Sequence, residues 1–141
     1  MSQQIAAQQT GANTKTCLIV EDSEFDQERI KRIMNKSFQG VFVAVATTIE
    51  EAREHMARYQ TSIILLDNHL PDGTGANFAM ELAENPTFAR IPIVMVSDWP
   101  TPFMFDKADS AGVIDVVNKS DFGARYIHNA LNYSVKPKRV N

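Results

Sequence analysis

The chain has 141 residues, of which 14 are basic and 17 acidic, and its net charge is −3. This length allows one domain with its own hydrophobic core, and the weak acidic balance argues against nucleic-acid binding by electrostatics alone. The single cysteine, Cys17, excludes an intrachain disulfide and a cysteine metal cluster, and no apolar stretch reaches the ~18 residues of a membrane span.

The two ends of the chain differ in composition from its middle. Residues 1–15 are rich in Gln, Ala and Thr, which predicts a disordered leader without the apolar region of a signal peptide. Residues 16–134 are predicted to form the folded domain, and residues 135–141 a solvated basic tail. The lack of an export signal and of a disulfide framework favours a cytoplasmic location.

Within the predicted domain, short apolar runs alternate with amphipathic stretches. The predicted strands are residues 17–20, 41–45, 62–66, 91–96 and 113–117. Capping-box sequences at 23–26 and 48–51 predict the first two helices, and further helices are predicted near 77–84, near 104–111 and from Ser120 or Asp121. Continuous apolar strands separated by helices predict a parallel sheet covered on both faces. The fold class is therefore α/β, with a doubly wound five-stranded parallel sheet in a single domain.

Polar residues that could carry chemistry follow four of these strands. Glu21 and Asp22 follow the first, Asp67 the third, Ser97 the fourth and Lys119 the fifth. In a doubly wound sheet these ends meet at the edge where ligands bind. Three carboxylates there repel unless a cation neutralises them, and oxygen ligands of this kind suit Mg²⁺. Together with a hydroxyl and a lysine, they predict a site for phosphoryl transfer to a carboxylate.

Each of these residues also has a simpler interpretation when it is considered alone. The acid pair could be first-turn acids favoured by the helix dipole, and the later aspartate and serine could cap a turn and a helix. The lysine could be a solvated surface residue. The prediction therefore depends on their joint occurrence at four strand ends.

The motifs around these positions resemble the receiver domain of two-component response regulators. The matching stretches are 18–22 (LIVED), 65–75 (LLDNHLPDGTG), 92–97 (PIVMVS) and 116–119 (VVNK), and their spacing is also similar to that of the family. The resemblance runs from about Thr16 to Tyr133. It implies the flavodoxin-like receiver fold.

The resemblance implies a role for each matched residue at the phosphoryl site. Asp67 matches the phosphoacceptor, and Ser97 matches the hydroxyl that binds the phosphoryl oxygen on activation. Lys119 matches the lysine that pairs with the phosphoryl group or, before the group arrives, with Asp67. A sensor histidine kinase or a histidine phosphotransfer domain is the implied donor. Since few residues follow Tyr133, a stand-alone regulator is expected, which signals to a downstream protein and is no enzyme beyond its own phosphorylation and dephosphorylation.

The resemblance also implies a Mg²⁺ site next to the phosphoacceptor. Its residues are Asp22 and Asp67 as ligands, Glu21 acting through water, and the backbone carbonyl of His69. The ring of His69 could instead accept protons or bind a second metal. An exposed loop residue that contributes only its carbonyl is the simpler interpretation. No nucleic acid and no membrane are expected among the partners, and the oligomeric state stays open.

The chain departs from the family pattern at four positions. Asp98 and Trp99 stand where small residues are usual, Val116 where an aromatic is usual, and Ser120 where a proline after a cis bond is usual. We expect Asp98 and Trp99 to prolong the phosphorylated state by hindering the attacking water. The alternative is that both side chains face solvent or a partner.

Two other functions compete with a phosphorylated signalling switch. One is a receiver-like binding module that acts without phosphate. The other is a hydrolase of the aspartyl-nucleophile type, but those enzymes carry a second aspartate two residues after the nucleophile, where this chain has His69. The complete set of acids, hydroxyl and lysine favours the switch.

Overall fold

The structure, a computed structural model, describes residues 15–132. Its strands are β1 (Lys15–Val20), β2 (Val41–Ala46), β3 (Ile63–Leu66), β4 (His69–Leu70), β5 (Gly73–Thr74), β6 (Ile93–Ser97) and β7 (Asp115–Asn118). Its α-helices are α1 (Glu24–Ser37), α2 (Ile49–Arg58), α3 (Gly75–Ala83), α4 (Pro102–Ser110) and α5 (Ala124–Asn132), and a 3₁₀ turn spans Lys119–Asp121. Among these helices, none combines the length and apolar character needed to cross a membrane.

Five of the strands form one parallel sheet in the order β2-β1-β3-β6-β7. The chain moves outward from β1 to β2 and then returns to β3 on the other side of β1. The order therefore reverses between β1 and β3, and ligands of doubly wound sheets bind beyond the carboxyl ends of the strands at such a point. The predicted fold class and the predicted five-stranded parallel sheet are confirmed.

Alternate side chains of the central strands enter two separate cores. Leu18 and Val20 of β1 lie in the core covered by α2, α3 and α4, whereas Cys17 and Ile19 lie in the core covered by α1 and α5. All four are fully buried. Burial on both faces explains why the strands are apolar runs and do not alternate between apolar and polar residues.

The predicted starts of the first two helices agree with the structure, α3 and α4 begin two residues before their predicted positions, and the predicted start of the last helix is wrong. Ser23 accepts the N–H of Asp26, and Thr48 accepts the N–H of Glu51, as expected for N-caps. The prediction that Ser120 or Asp121 caps the last helix is wrong, because residues 119–121 form the 3₁₀ turn and α5 begins at Ala124. The side chain of Asn118 accepts the N–H of Ser120 and closes that turn.

The ends of the predicted domain are described only in part. Strand β1 begins at Lys15, the last residue of the predicted leader. Residues 1–14 and the predicted basic tail, residues 135–141, lie outside the described part of the chain.

The segment after β3, predicted as a polar loop, contains a small hairpin. Strand β4 pairs with β5 in antiparallel register. At the turn of this hairpin, the carboxylate of Asp72 accepts the N–H groups of Ile49 at 2.8 Å and Glu50 at 3.0 Å. The hairpin is thereby tied to the first turn of α2, where free N–H groups favour a negative charge.

Gly75, the first residue of α3, packs directly against the backbone at the end of β3. Its N–H donates to the carbonyl of Asn68 at 2.8 Å. A Cβ atom at this position would overlap the carbonyl of Asp67 and press on the side chain of Leu66. Glycine is required here by close approach, and this contact places α3 beside the residue that ends β3.

We expect Gly75→Ala to lower the free energy of unfolding by about 2 kcal/mol or more, because the backbone around Asp67 must shift to admit the methyl group. Urea denaturation measures the change. Gly123→Ala is the matched control, since a Cβ at Gly123 meets no atom within 4 Å, and its effect should stay within about 0.5 kcal/mol. Equal effects of the two substitutions would contradict the packing argument.

Candidate functional site

Three carboxylates meet at the carboxyl ends of β1 and β3. Glu21 and Asp22 follow β1, Asp67 follows β3, and one ligand oxygen from each lies within 4.8 Å of the others. The sheet sets the backbone positions, because the N–H of Asp67 donates to the carbonyl of Val20 at 3.0 Å and so extends the ladder past the strand. The three acids that the sequence predicted as a cluster are brought together.

Two of the three carboxylates are buried and one is open to solvent. Glu21 is 2% exposed and Asp67 5% exposed, whereas Asp22 is exposed. Burial raises the pKa of Asp67, against the opposing effects of Lys119 and of the backbone N–H of Asn68. Burial likewise raises the pKa of Glu21, although Lys119 donates a hydrogen bond to it. Keeping both carboxylates ionised therefore costs free energy that a nearby cation can offset.

Lys119 supplies the positive charge at this edge of the sheet. Its Nζ lies 2.7 Å from Oδ2 of Asp26, 2.9 Å from Oε1 of Glu21 and 3.7 Å from Oδ2 of Asp67. Burial disfavours the ammonium, but the hydrogen bonds to Asp26 and Glu21 prevail and hold the pKa of Lys119 above its ordinary value. One ammonium thus contacts three carboxylates, and Asp22 is a fourth acid at this edge that lies near Glu21 and Asp67. The expected pairing with Asp67 is present only as the longest of the three contacts.

Asp26 is a site residue that sequence reasoning missed. It was interpreted as the last residue of a capping box, in which it would accept the backbone N–H of Ser23. In the structure the N–H of Ser23 donates to Oε2 of Glu21 at 3.0 Å, and the Asp26 carboxylate points to Lys119. One turn further along α1, Arg29 donates to the carbonyl of Lys119. The available signal was the position of Asp26 in the first turn of the helix that follows the acid pair.

Ser97 lies at the end of β6 and is completely buried. It is paired in register with Asn118, the residue before Lys119. Its Oγ donates to the carbonyl of Asp98 at 3.1 Å, so the hydroxyl bonds locally and not to Asp67. The sequence placed Ser97 at the correct edge of the sheet, but its predicted contact with a phosphoryl group is not tested by this arrangement.

His69 opens the hairpin beside Asp67. Its side chain is exposed, which agrees with the simpler of the two interpretations. Its backbone N–H donates to the Asp67 carboxylate, as does that of Asn68. The main chain of His69 therefore lies next to the acid cluster, where its carbonyl is predicted to serve a metal ion.

The positions that depart from the family pattern are mostly at the surface. Trp99 is 83% exposed and has a φ of +53°, and Asp98 and Ser120 are also exposed. An indole in that position does not cover Asp67, so the structure gives no support to the prediction that Trp99 shields it from water. Val116 is partly buried and packs against the core under α2, α3 and α4. No peptide bond among residues 15–132 is cis.

Comparison with known proteins identifies the family of this chain and agrees with its fold. The sequence model of the protein family described as response regulator receiver domain matches residues 17–132. The chain belongs to this family. A receiver domain protein described as CheY-like, from Methanospirillum hungatei, superposes with a TM-score of 0.72 at 21% identity and covers 83% of this chain and 90% of its own. The Mn²⁺-bound form of response regulator Rcp1 gives a TM-score of 0.71 at 20% identity, covering 86% and 99%.

The receiver domain also has relatives in longer regulators. The hydrogenase transcriptional regulatory protein HoxA of Cupriavidus necator is 32% identical over 84 residues, which is 59% of this chain and 17% of HoxA. The chain thus spans less than a fifth of that relative's length.

We expect Asp67→Asn to stabilise the metal-free receiver domain by about 1 kcal/mol at pH 7, since it removes a buried carboxylate from among its neighbours. Because burial raises the pKa of Asp67, the folded wild-type protein holds this proton more tightly than the unfolded chain. Lowering the pH through that raised pKa therefore favours the folded wild type. The advantage of the variant should shrink as the pH approaches the ordinary value of ~3.9.

Urea denaturation in the presence of a chelator, at pH 7 and at pH 5, measures this difference. Asp106→Asn, at an exposed position of α4, is the control and should change stability by less than about 0.5 kcal/mol at either pH. If Asp67→Asn is destabilising at pH 7, burial does not disfavour the ionised Asp67 carboxylate.

Proposed function

We propose that this receiver domain accepts a phosphoryl group on Asp67 from a histidine kinase or a histidine phosphotransfer domain, and that the phosphorylated form signals by contact with a target protein. The observation that carries the proposal is the position of Asp67, buried between two further acids and the ammonium of Lys119. Its carboxylate oxygen is the nucleophile. We expect this phosphoryl transfer to take place in the cytoplasm.

The proposed transfer needs no other nucleophile from the protein. An oxygen of Asp67 forms a bond to phosphorus while the bond from phosphorus to the donor's imidazole nitrogen breaks, and that nitrogen leaves with the electron pair. Charge develops on the phosphoryl oxygens during this step. Lys119, already at the edge of the site, is proposed to stabilise that charge, and Ser97 is proposed to donate a hydrogen bond to a phosphoryl oxygen.

The donor set of the site fits Mg²⁺. Oxygens of Glu21, Asp22 and Asp67 lie within 4.8 Å of one another, and carboxylate, carbonyl and water oxygens are the ligands this ion prefers. We propose Asp22, Asp67 and the carbonyl of His69 as ligands, with Glu21 acting through water. A bound ion would offset the repulsion between these acids and the transferred phosphoryl group. Rcp1, a structural neighbour, has been solved in a Mn²⁺-bound form.

We expect Asp67→Asn to abolish phosphorylation, because an amide of the same size is not a nucleophile. The test is incubation with phosphoramidate and Mg²⁺, followed by intact mass spectrometry and treatment with hydroxylamine, which cleaves acyl phosphates. Asp106→Asn should be labelled like the wild type. A hydroxylamine-sensitive phosphoryl group on the Asp67→Asn variant would reassign the acceptor, and an unlabelled wild type would favour the binding module that acts without phosphate.

We expect Asp22→Ala to weaken Mg²⁺ binding roughly tenfold or more, since it removes a direct ligand from the exposed side of the cluster. Calorimetric titration, or Mn²⁺ binding followed by electron paramagnetic resonance, gives the affinity. Glu24→Ala is the matched control, because Glu24 is also an exposed acid near the start of α1 but is not in the acid cluster. Equal losses in the two variants would indicate general attraction of cations and not ligation by Asp22.

A further inference from the structure

The ammonium of Lys119 is held by α1 more closely than by the phosphoacceptor. A lysine has three N–H groups to donate. Two of them have carboxylate acceptors at hydrogen-bond distance, Asp26 at 2.7 Å and Glu21 at 2.9 Å. The separation of 3.7 Å from Asp67 is beyond a hydrogen bond. The positive charge of Lys119 therefore acts on Asp67 without a hydrogen bond between the two side chains.

Helix α1 contacts Lys119 at two points. The side chains of Asp26 and Arg29 are three residues apart and so lie on the same face of the helix. Asp26 accepts from the lysine side chain, and Arg29 donates to the lysine carbonyl. The start of α1 is itself fixed to the acid cluster, because Gln27 donates to the carbonyl of Glu21 at 2.7 Å. The position of Lys119 is thus set by a helix that is fixed at the same site.

Direct pairing of Lys119 with Asp67, which the family resemblance implies before phosphorylation, would compete with two other partners of Asp67. A hydrogen-bonded ammonium on Oδ2 would occupy an oxygen that a metal ion or phosphorus must reach. It would also reduce the charge that makes the carboxylate a ligand and a nucleophile. In the structure Oδ1 of Asp67 accepts the N–H of Asn68, so Oδ2 is the atom for which the lysine would compete.

We infer that Asp26 is a positioning residue, which holds the ammonium of Lys119 next to Asp67 but out of hydrogen-bond contact, so that Asp67 stays available to a divalent ion and to phosphorus. The inference rests on the proposed function and extends it to a residue of α1. When Asp26 loses its charge, Lys119 is left with Glu21 and Asp67 as its carboxylate partners, and its ammonium moves towards Asp67. Both metal binding and phosphorylation then become weaker, although Asp26 touches neither the ion nor the phosphoryl group.

A double-mutant cycle tests this inference. Mg²⁺ affinity and the rate of labelling by phosphoramidate are measured for the wild type, Asp26→Asn, Lys119→Ala and the double variant. We expect Asp26→Asn to lower both quantities about fivefold in the wild-type background and less than about 1.5-fold in the Lys119→Ala background, because neighbouring residues that act through one another couple in this way. Asp26→Glu, which keeps the charge, should restore most of the metal affinity.

Glu24→Gln removes another first-turn carboxylate from α1 and should leave both quantities unchanged. An unchanged Mg²⁺ affinity in Asp26→Asn, or an equal loss with and without Lys119, would overturn the inference, since the second result is what simple loss of a distant charge produces. The metal cycle needs no phosphorylation. A wild-type protein that binds Mg²⁺ but is not labelled therefore overturns the proposed function, while the role of Asp26 is still decided by the cycle.

Discussion

The contact of one half-buried ammonium, that of Lys119, with three carboxylates is the interaction on which this site depends. Glu21 and Asp67 follow neighbouring strands, so the sheet itself forces them together. Buried charges of the same sign are unfavourable unless a charge of the opposite sign is placed against them. That charge comes from Lys119, at the end of the edge strand β7. The site is complete only when β1, β3 and β7 have assembled in one sheet, because its acids follow β1 and β3 and its lysine follows β7.

The backbone around Asp67 is fixed from both sides, which suits the proposed role of this residue because that role depends on position. Before Asp67 lies a fully buried strand, and after it Gly75 brings α3 into direct contact with the Asp67 carbonyl. The side chain of Asn68 accepts the N–H of Ala76 at 3.0 Å and so begins that helix beside the acid cluster. The loop after Asp67 is therefore part of the scaffold that fixes the position of this carboxylate.

The sequence predicts the sheet and the gathering of acids because both follow from short patterns. Apolar runs such as 63–66 identify buried strands, and parallel topology then places Glu21, Asp67 and Lys119 at one edge. The partner of Asp26 could not be predicted in this way. Its local alternative, a capping box, is visible within four residues, whereas its actual partner is 93 residues away. The choice between them depends on how closely α1 approaches the end of β7, a packing distance that local patterns do not contain. The hairpin after Asp67 was missed for a similar reason, since two-residue strands are too short to show a periodicity.

The hydrogen bonds from the first turn of α2 to Asp72 join two parts of the domain that are distant in sequence. The N–H groups of Ile49 and Glu50 donate to the Asp72 carboxylate, which lies 23 and 22 residues further along the chain. That carboxylate sits on the hairpin that begins two residues after Asp67. The hairpin beside Asp67 and the first turn of α2 keep these two hydrogen bonds only while they hold the same relative position, and deuterium exchange at the two amides reports whether they do.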